Sequence, residues 1–298
     1  TASEPPVDQP WSKSTQVIHY TTYAQLAEDV KMLVAKLPRD IVGVLGVARS
    51  GMIPATMVSE ILHVPLGEAF LFAKTGEFLG SGDRLKRRTP RRGRILVLDD
   101  TVYQGKTMRR VRQAIHRSPF RRKYRWISGA VYRHPLWPQA TKLFAREIHS
   151  PRYFEWNLMQ HPDMENWMLD IDGVLCFDGT VFDDDGEQYR QSLINAVPFH
   201  LPSRKAHSLC SMRLERWRPE TEAWLAKHGV EYGSLHLSPY ATAHERRRYG
   251  RYGEIKGAIY KESPCTLFVE SSRDQAPIIA RISGKPVICM DTQQVFQG

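Results

Sequence analysis

The chain has 298 residues, 42% hydrophobic and 25% charged, with a formal net charge of +10. That is room for about two domains of ~100–200 residues each, and too apolar a composition for a disordered chain. No apolar run approaches the ~18 residues of a membrane span, residues 1–10 lack a basic-then-apolar signal, and Cys176, Cys210, Cys265 and Cys289 are too scattered for a disulfide framework or zinc site. A cytoplasmic location is the resulting expectation. Residues 1–18, with Pro5, Pro6 and Pro10, read as an arm. A helix opens at Thr22 with Gln25 as its capping partner and Leu26, Val30, Leu33 and Leu37 on one face. A bare apolar run over residues 41–46 predicts a buried strand, residues 53–62 a helix, residues 95–98 a second strand, and Trp126 to Tyr132 a third after a basic helix. After a boundary near His161 and Pro162 the pattern restarts, with apolar runs ending at Leu169, Cys210 and Val269. The expected fold class is α/β in two domains, 19–162 and 163–298, each a mainly parallel sheet flanked by helices.

Charge is unevenly placed. Residues 1–160 hold 26 Lys and Arg against 13 Asp and Glu, a balance of +13, whereas residues 161–298 balance at −3. The excess lies in two runs, Arg84 to Arg94 and Arg109 to Arg125. Such a half suits nucleic acid or a small polyanionic substrate, and equally a solvated face with a loop.

The most informative segment of the first half is Ile95-Leu96-Val97-Leu98-Asp99-Asp100-Thr101-Val102-Tyr103-Gln104-Gly105-Lys106-Thr107. An apolar strand delivers two carboxylates where open α/β sheets bind ligands. The turn that follows, with a helix beginning near Met108, offers backbone N–H groups and hydroxyls to a phosphate. The carboxylates Asp99 and Asp100 suit ribose hydroxyls. This segment resembles the phosphoribosyl diphosphate motif of type I phosphoribosyltransferases, with Gln104 in a position where that family usually has Thr or Ala. The resemblance covers about residues 20–160. It implies binding of phosphoribosyl diphosphate by Thr101, Gln104, Gly105, Lys106 and Thr107, and a diphosphate loop at Val47-Ala48-Arg49-Ser50-Gly51 with Arg49 as its charge. It also implies a mobile loop between residues 72 and 94 that closes over diphosphate and Mg²⁺. For the nucleobase, a 6-oxopurine-like ring is favoured. Arg133 would donate to its oxygen, and Phe154 and Trp156 of Tyr153-Phe154-Glu155-Trp156 would stack on it. A surface charge at 133 and core or inter-domain packing at 154 and 156 are the alternatives. Dimers are common in this family, so a homodimer is expected.

In the second half, Trp167-Met168-Leu169-Asp170-Ile171-Asp172-Gly173-Val174-Leu175 places two Asp just beyond a strand. A carboxylate attacks phosphorus only when a divalent ion and a Lys offset anion repulsion, and a second acid then moves the proton. The segment resembles the first motif of haloacid dehalogenase-like phosphatases, over about residues 164–298. The resemblance implies Asp170 as nucleophile, Asp172 as acid and base, and Ser211 of Leu209-Cys210-Ser211-Met212-Arg213 as a phosphate donor. It further implies Lys256, with Lys261 as competitor, as the lysine, and Mg²⁺ held by Asp170, Asp172, Glu270 and Asp274. Only about 33 residues (176–208) separate the first two motifs, too few for a large cap.

Together the two halves predict a bifunctional enzyme. One domain joins a nucleobase to phosphoribosyl diphosphate, and the other dephosphorylates the nucleoside 5′-monophosphate so formed. A nucleotide sensor or nucleic-acid-binding regulator with an attached phosphatase is the alternative.

Overall fold

The computed structural model describes residues 17–79, 93–178 and 186–298. Most of the arm, and the basic run from Arg84 to Arg92 within the expected closing loop, lie outside the described residues. Apolar strands buried along almost their whole length organise the first compact unit, 21–156. Its elements follow β1 (His19–Thr21) in the order α1 (Tyr23–Ala35), β2 (Ile41–Gly46), α2 (Met52–Leu62), β3 (Leu66–Glu68), α3 (Ala69–Thr75) and β4 (Arg94–Val102). Then come α4 (Lys106–Arg117), β5 (Arg125–Arg133), β6 (Leu143–Glu147) and β7 (Arg152–Phe154). The sheet has the order β3-β2-β4-β5-β6, all parallel. Successive strand residues point to opposite faces. Val44, Leu96 and Leu98 therefore pack with Leu26, Val30 and Leu33 of α1 and Ala55 and Val58 of α2. Leu45, Ile95 and Val97 pack instead with Phe72 of α3 and Met108, Val111 and Ile115 of α4. Both faces are covered, which is why these strands read as bare apolar runs rather than alternating ones. Thr22 caps α1, its hydroxyl accepting the Gln25 N–H at 3.0 Å.

The strand expected over residues 95–98 is longer. β4 runs on through Asp99, Asp100 and Thr101 because Asp99 and Thr101 still pair with Ala130 and Tyr132 of β5. The two acids thus belong to the rigid sheet rather than to the loop beyond it.

The second compact unit contains 157–298 and the described residues up to Tyr20. Its elements are β8 (Trp167–Leu169), α5 (Glu187–Ile194), β9 (Ala206–Leu214), α6 (Arg218–Lys227), β10 (Tyr232–Ser238), α7 (Ala243–Tyr249) and α8 (Tyr252–Glu262). They continue with β11 (Leu267–Glu270), α9 (Gln275–Ser283), β12 (Val287–Cys289) and β13 (Gln294–Phe296). The sheet order is β10-β9-β8-β11-β12-β13, parallel except for the antiparallel β12–β13 pair at one edge. Tyr260 of α8 and Ile279 and Ala280 of α9 close one face over Met168, Phe268 and Val287. Among the described residues no helix is long and apolar enough to cross a membrane.

Candidate active sites

In the first unit the loop after β2 and the end of β4 meet because residue 51 has no side chain. A Cβ on Gly51 would lie 2.5 Å from the Val47 carbonyl oxygen and 2.9 Å from an Asp99 carboxylate oxygen. Ser50, beside it, donates its hydroxyl to Asp100 at 2.9 Å, and the Trp156 indole N–H donates to the other Asp100 oxygen at 3.0 Å. Asp100 is 2% exposed, and both its oxygens serve to tie the loop and the aromatic segment to the sheet. Asp99 instead faces a cavity of about 260 Å³ lined by Thr101, Gln104, Gly105, Lys106, Thr107 and Arg152. Gly105 has φ +70°, a left-handed conformation that turns the chain from β4 into the 12-residue helix α4 at little steric cost. Ser50, Gly51, Asp99 and the 101–107 segment are therefore brought together. Arg49 is exposed on the loop between β2 and α2.

Two polar atoms at this cavity are buried without a partner, the Thr101 hydroxyl and one terminal nitrogen of Arg152. The Arg152 guanidinium lies over the Tyr103 ring, 5.5 Å from its centroid. Buried donors left unmade cost about 1–3 kcal/mol each, so they mark a place where an acceptor belongs. Arg152 escaped the sequence reading because one Arg ahead of an aromatic run looks like any surface charge.

The residues expected at the base make contacts within the protein itself. Arg133 ion-pairs with Glu147, donates to the Pro138 and Thr141 carbonyls at 3.0 Å each, and sits 3.8 Å from the Phe144 ring centroid. Those contacts spend it on fastening β5 to β6 and the segment between them. Phe154 is 5% exposed and packs in the core, with Trp156 stacked on it at 4.7 Å and Tyr132 at 5.8 Å.

Burial, and then the neighbouring Asp100 charge, push the Asp99 carboxyl up from 3.8 to about 8. The folded protein therefore keeps this proton while the unfolded chain loses it, and stability falls as pH rises from about 4 to about 8. Asp99→Asn should relieve that penalty, raising stability at pH 8 by up to about 3–5 kcal/mol and by nothing near pH 3. Thermal unfolding of both proteins across that range measures the difference; a constant gap would contradict it.

In the second unit the parallel order places β9, β8 and β11 side by side, and their C-terminal ends carry Ser211, Asp170 and Glu270. Lys256 enters from α8 between two of these acids. Its ammonium donates to Asp170 at 2.9 Å and to Glu270 at 2.8 Å, and all three side chains are 5% exposed or less. Burial and the Glu270 charge raise the Asp170 carboxyl well above its ordinary value, more than Lys256 lowers it. Lys261, the competitor, lies in the last turn of α8 and is exposed.

Asp172 is gripped by Arg213, which is 1% exposed and bonds both carboxylate oxygens, the shortest contact being 2.7 Å. Ser211 also donates to Asp172, at 3.1 Å. Burial would raise the Asp172 carboxyl, but Arg213 outweighs it and holds the group below its ordinary range. Asp172 is thus held as the carboxylate, the form used in the base half of its expected acid-and-base role. Arg213 went unrecognised because it sits two residues past the Ser motif, where a strand Arg carries no signal of its own.

A hard divalent cation takes oxygen donors. The Ser271 hydroxyl lies 2.9 Å from the Asp172 carbonyl oxygen and 3.4 Å from a carboxylate oxygen of each of Asp170 and Glu270. Two carboxylate oxygens and a main-chain carbonyl oxygen gathered around one hydroxyl are donors of the type Mg²⁺ takes. Asp274 does not join them, since it stands exposed at the start of α9. Among the described residues no group of three or more His, Cys, Asp or Glu side chains is disposed to hold a metal ion; the third oxygen here is a main-chain carbonyl. Asp170, Asp172, Lys256 and Arg213 open onto a cavity of about 670 Å³.

No protein-family profile matches the sequence, and no curated protein matches it. Several solved structures are similar to part of it. A xanthine-guanine-hypoxanthine phosphoribosyltransferase from Helicobacter pylori is 16% identical, with 47% of this chain and 93% of that one covered at a TM-score of 0.35. A purine phosphoribosyltransferase from Pyrococcus horikoshii is 22% identical over the same shares at 0.35. A Neisseria gonorrhoeae hypothetical protein with bound ppGpp is 13% identical, with 47% and 89% covered at 0.34. Each likeness spans under half of this chain.

Proposed function

We propose that the chain is a two-site enzyme of nucleotide metabolism. The unit 21–156 transfers phosphoribosyl from phosphoribosyl diphosphate to a nucleobase, and the unit 157–298 hydrolyses the resulting nucleoside 5′-monophosphate. The observation that carries the first half is the pair of orphaned donors, on Thr101 and Arg152, that share a cavity with Asp99 and the 104–107 turn. A phosphoryl oxygen there would satisfy both donors and meet the N-terminus of α4. Asp99 would then face the sugar hydroxyls, and Arg49 the departing diphosphate. The transfer requires no protein nucleophile; the base nitrogen bonds to the sugar carbon as the diphosphate oxygen leaves.

In the second site Asp170, once its proton has passed to solvent, attacks phosphorus as the carboxylate, forming an aspartyl phosphate, and the nucleoside oxygen leaves as a hydroxyl with a proton from solvent. Water then attacks that phosphorus, giving its proton to Asp172, which Arg213 holds ready as a carboxylate, and the bond to Asp170 breaks to release phosphate and the free Asp170 carboxylate. Lys256 keeps the nucleophile oriented. Mg²⁺, when bound near Asp170, Glu270 and the Asp172 carbonyl, supplies charge neutralisation at the phosphoryl group. Both units on one chain raise the local concentration of the intermediate.

Incubation with phosphoribosyl diphosphate, Mg²⁺ and a panel of bases, followed by mass spectrometry, tests the proposal. Nucleoside, diphosphate and phosphate are the expected products. Nucleotide that accumulates with its phosphate intact would defeat the coupled scheme.

The exposed arginines of α4, Arg109, Arg110, Arg112 and Arg117, favour a second reading as a nucleotide-responsive regulator that binds nucleic acid. Steeply salt-dependent binding without turnover of any base would support it.

A further inference from the structure

The two acids that end β4 meet different neighbours. Ile95, Val97 and Asp99 lie on one face of the strand, and Leu96, Leu98 and Asp100 on the other. Met108 packs against the first face and lines the cavity that Asp99 joins. Phe154 and Trp156 pack against the second face. Asp100 is therefore turned from the phosphate cavity toward the aromatic segment, where it is buried.

Each of its carboxylate oxygens holds a different segment. One accepts the Ser50 hydroxyl at 2.9 Å, and the other the Trp156 indole N–H at 3.0 Å. Ser50 stands beside Arg49 in the loop after β2, and Trp156 follows the end of β7 by two residues. The Trp156 ring stacks on Phe154 with planes 25° apart, and Phe154 packs in turn against Tyr132, whose hydroxyl donates to the buried Asp29 at 2.9 Å. That stack sets the plane of the indole. A stacked ring can still turn within its plane, and the N–H is the one polar group on its edge. The bond to Asp100 is what stops that rotation.

We infer that Asp100 is a positioning residue for the transfer, joining the 47–51 loop to the Trp156 ring through one buried carboxylate. In this assignment it holds no sugar hydroxyl, and Asp99 alone of the pair faces the substrate. A phosphoribosyl diphosphate that seats the loop fixes Ser50, Ser50 fixes the carboxylate, and the carboxylate fixes the edge of the indole. A change at the ring travels back along the same contacts, since coupling between two sites is reciprocal. The inference rests on the proposed phosphoribosyl transfer and adds the residue through which two parts of its site act on each other.

The test is calorimetric titration of the full chain with phosphoribosyl diphosphate and Mg²⁺, with no base present. Trp156→Phe keeps a stacked ring and loses the N–H. It should weaken binding about 5-fold, although Trp156 lies outside the lining of the Asp99 cavity. Ser50→Ala should weaken binding at least as much, and adding Trp156→Phe to it should change little more, because both act through one carboxylate. Ser50→Thr, which keeps the hydroxyl, should bind as the wild type does. Wild-type affinity in Trp156→Phe, or two effects that multiply, would overturn the inference and leave the proposed transfer standing. So would a loss in Asp100→Asn that neither Ser50→Ala nor Trp156→Phe shares, the mark of a carboxylate that touches the sugar itself. Should Trp156→Phe fail to fold, Ser50→Ala is read in turnover, where it should raise the KM for the base about 5-fold and Ser50→Thr should not. An unchanged base KM there would equally overturn the inference. A wild-type protein that neither binds phosphoribosyl diphosphate nor turns over any base would instead remove the proposed transfer and this assignment with it.

Discussion

Lys256→Met is expected to destabilise the unit 157–298 by about 3–5 kcal/mol, the cost of removing one partner from a buried ion pair. Met has nearly the volume of Lys, so cavity formation contributes little. What remains is Asp170 and Glu270, at 5% and 0% exposure, facing each other without the ammonium that now bonds both. The Asp170 carboxyl, already raised by burial and the Glu270 charge, would then lose the cation that lowers it. Stability of the variant should therefore be closest to wild type at low pH, where both states are protonated, and should fall away as pH rises above 4. Urea unfolding at pH 5 and pH 8 reads this out, with a deficit clearly larger at pH 8. A deficit under about 1 kcal/mol at pH 8 would mean that water or solvent ions reach the two acids and that the site is less enclosed than the geometry requires.

Asp170→Asn should separate chemistry from stability. The amide cannot attack phosphorus, so phosphate release should fall by at least about 10³-fold, and the chain should stop at the nucleoside monophosphate. Folding should not suffer. Asp170 is pushed toward its neutral form by burial and by Glu270, and its replacement leaves Lys256 paired with Glu270 alone. The Asn oxygen can still accept the Ile171 N–H that Asp170 accepts at 2.8 Å. A melting temperature at or above that of the wild type at pH 8 is the expected companion result. Retained phosphate release would move the nucleophile elsewhere, and a collapsed protein would show that Asp170 serves the fold.

These contrasts separate what runs along the chain from what meets across it. Both acid-bearing segments were legible because each is local: a buried apolar run, acids at its end, then a Gly turn. That order places Asp99 beside Gly105, and Asp170 beside Gly173, in any parallel α/β sheet. The strand at Ile95 was legible as well, but its end was not. β4 continues through Thr101 because β5 offers it pairing partners, and no pattern within residues 94–102 records that.

The roles of individual charges lay beyond the sequence for a related reason. Arg133 and Arg152 are both single arginines beside apolar runs, yet Arg133 is fastened to Glu147 and two carbonyls while Arg152 lines the cavity that Asp99 faces. Asp172 reads as both acid and base until Arg213, 41 residues later, closes on it and holds it as the carboxylate, and Lys256 meets Asp170 across 86 residues. Periodicity and composition determined the two α/β units and the turns that carry their acids, because burial of a strand depends on the residues next to it. Which carboxylate is charged, which is shared and which faces a ligand was decided only in three dimensions. Those states depend on distance to a counter-charge and on exclusion of water, and both are set by segments far apart in the chain.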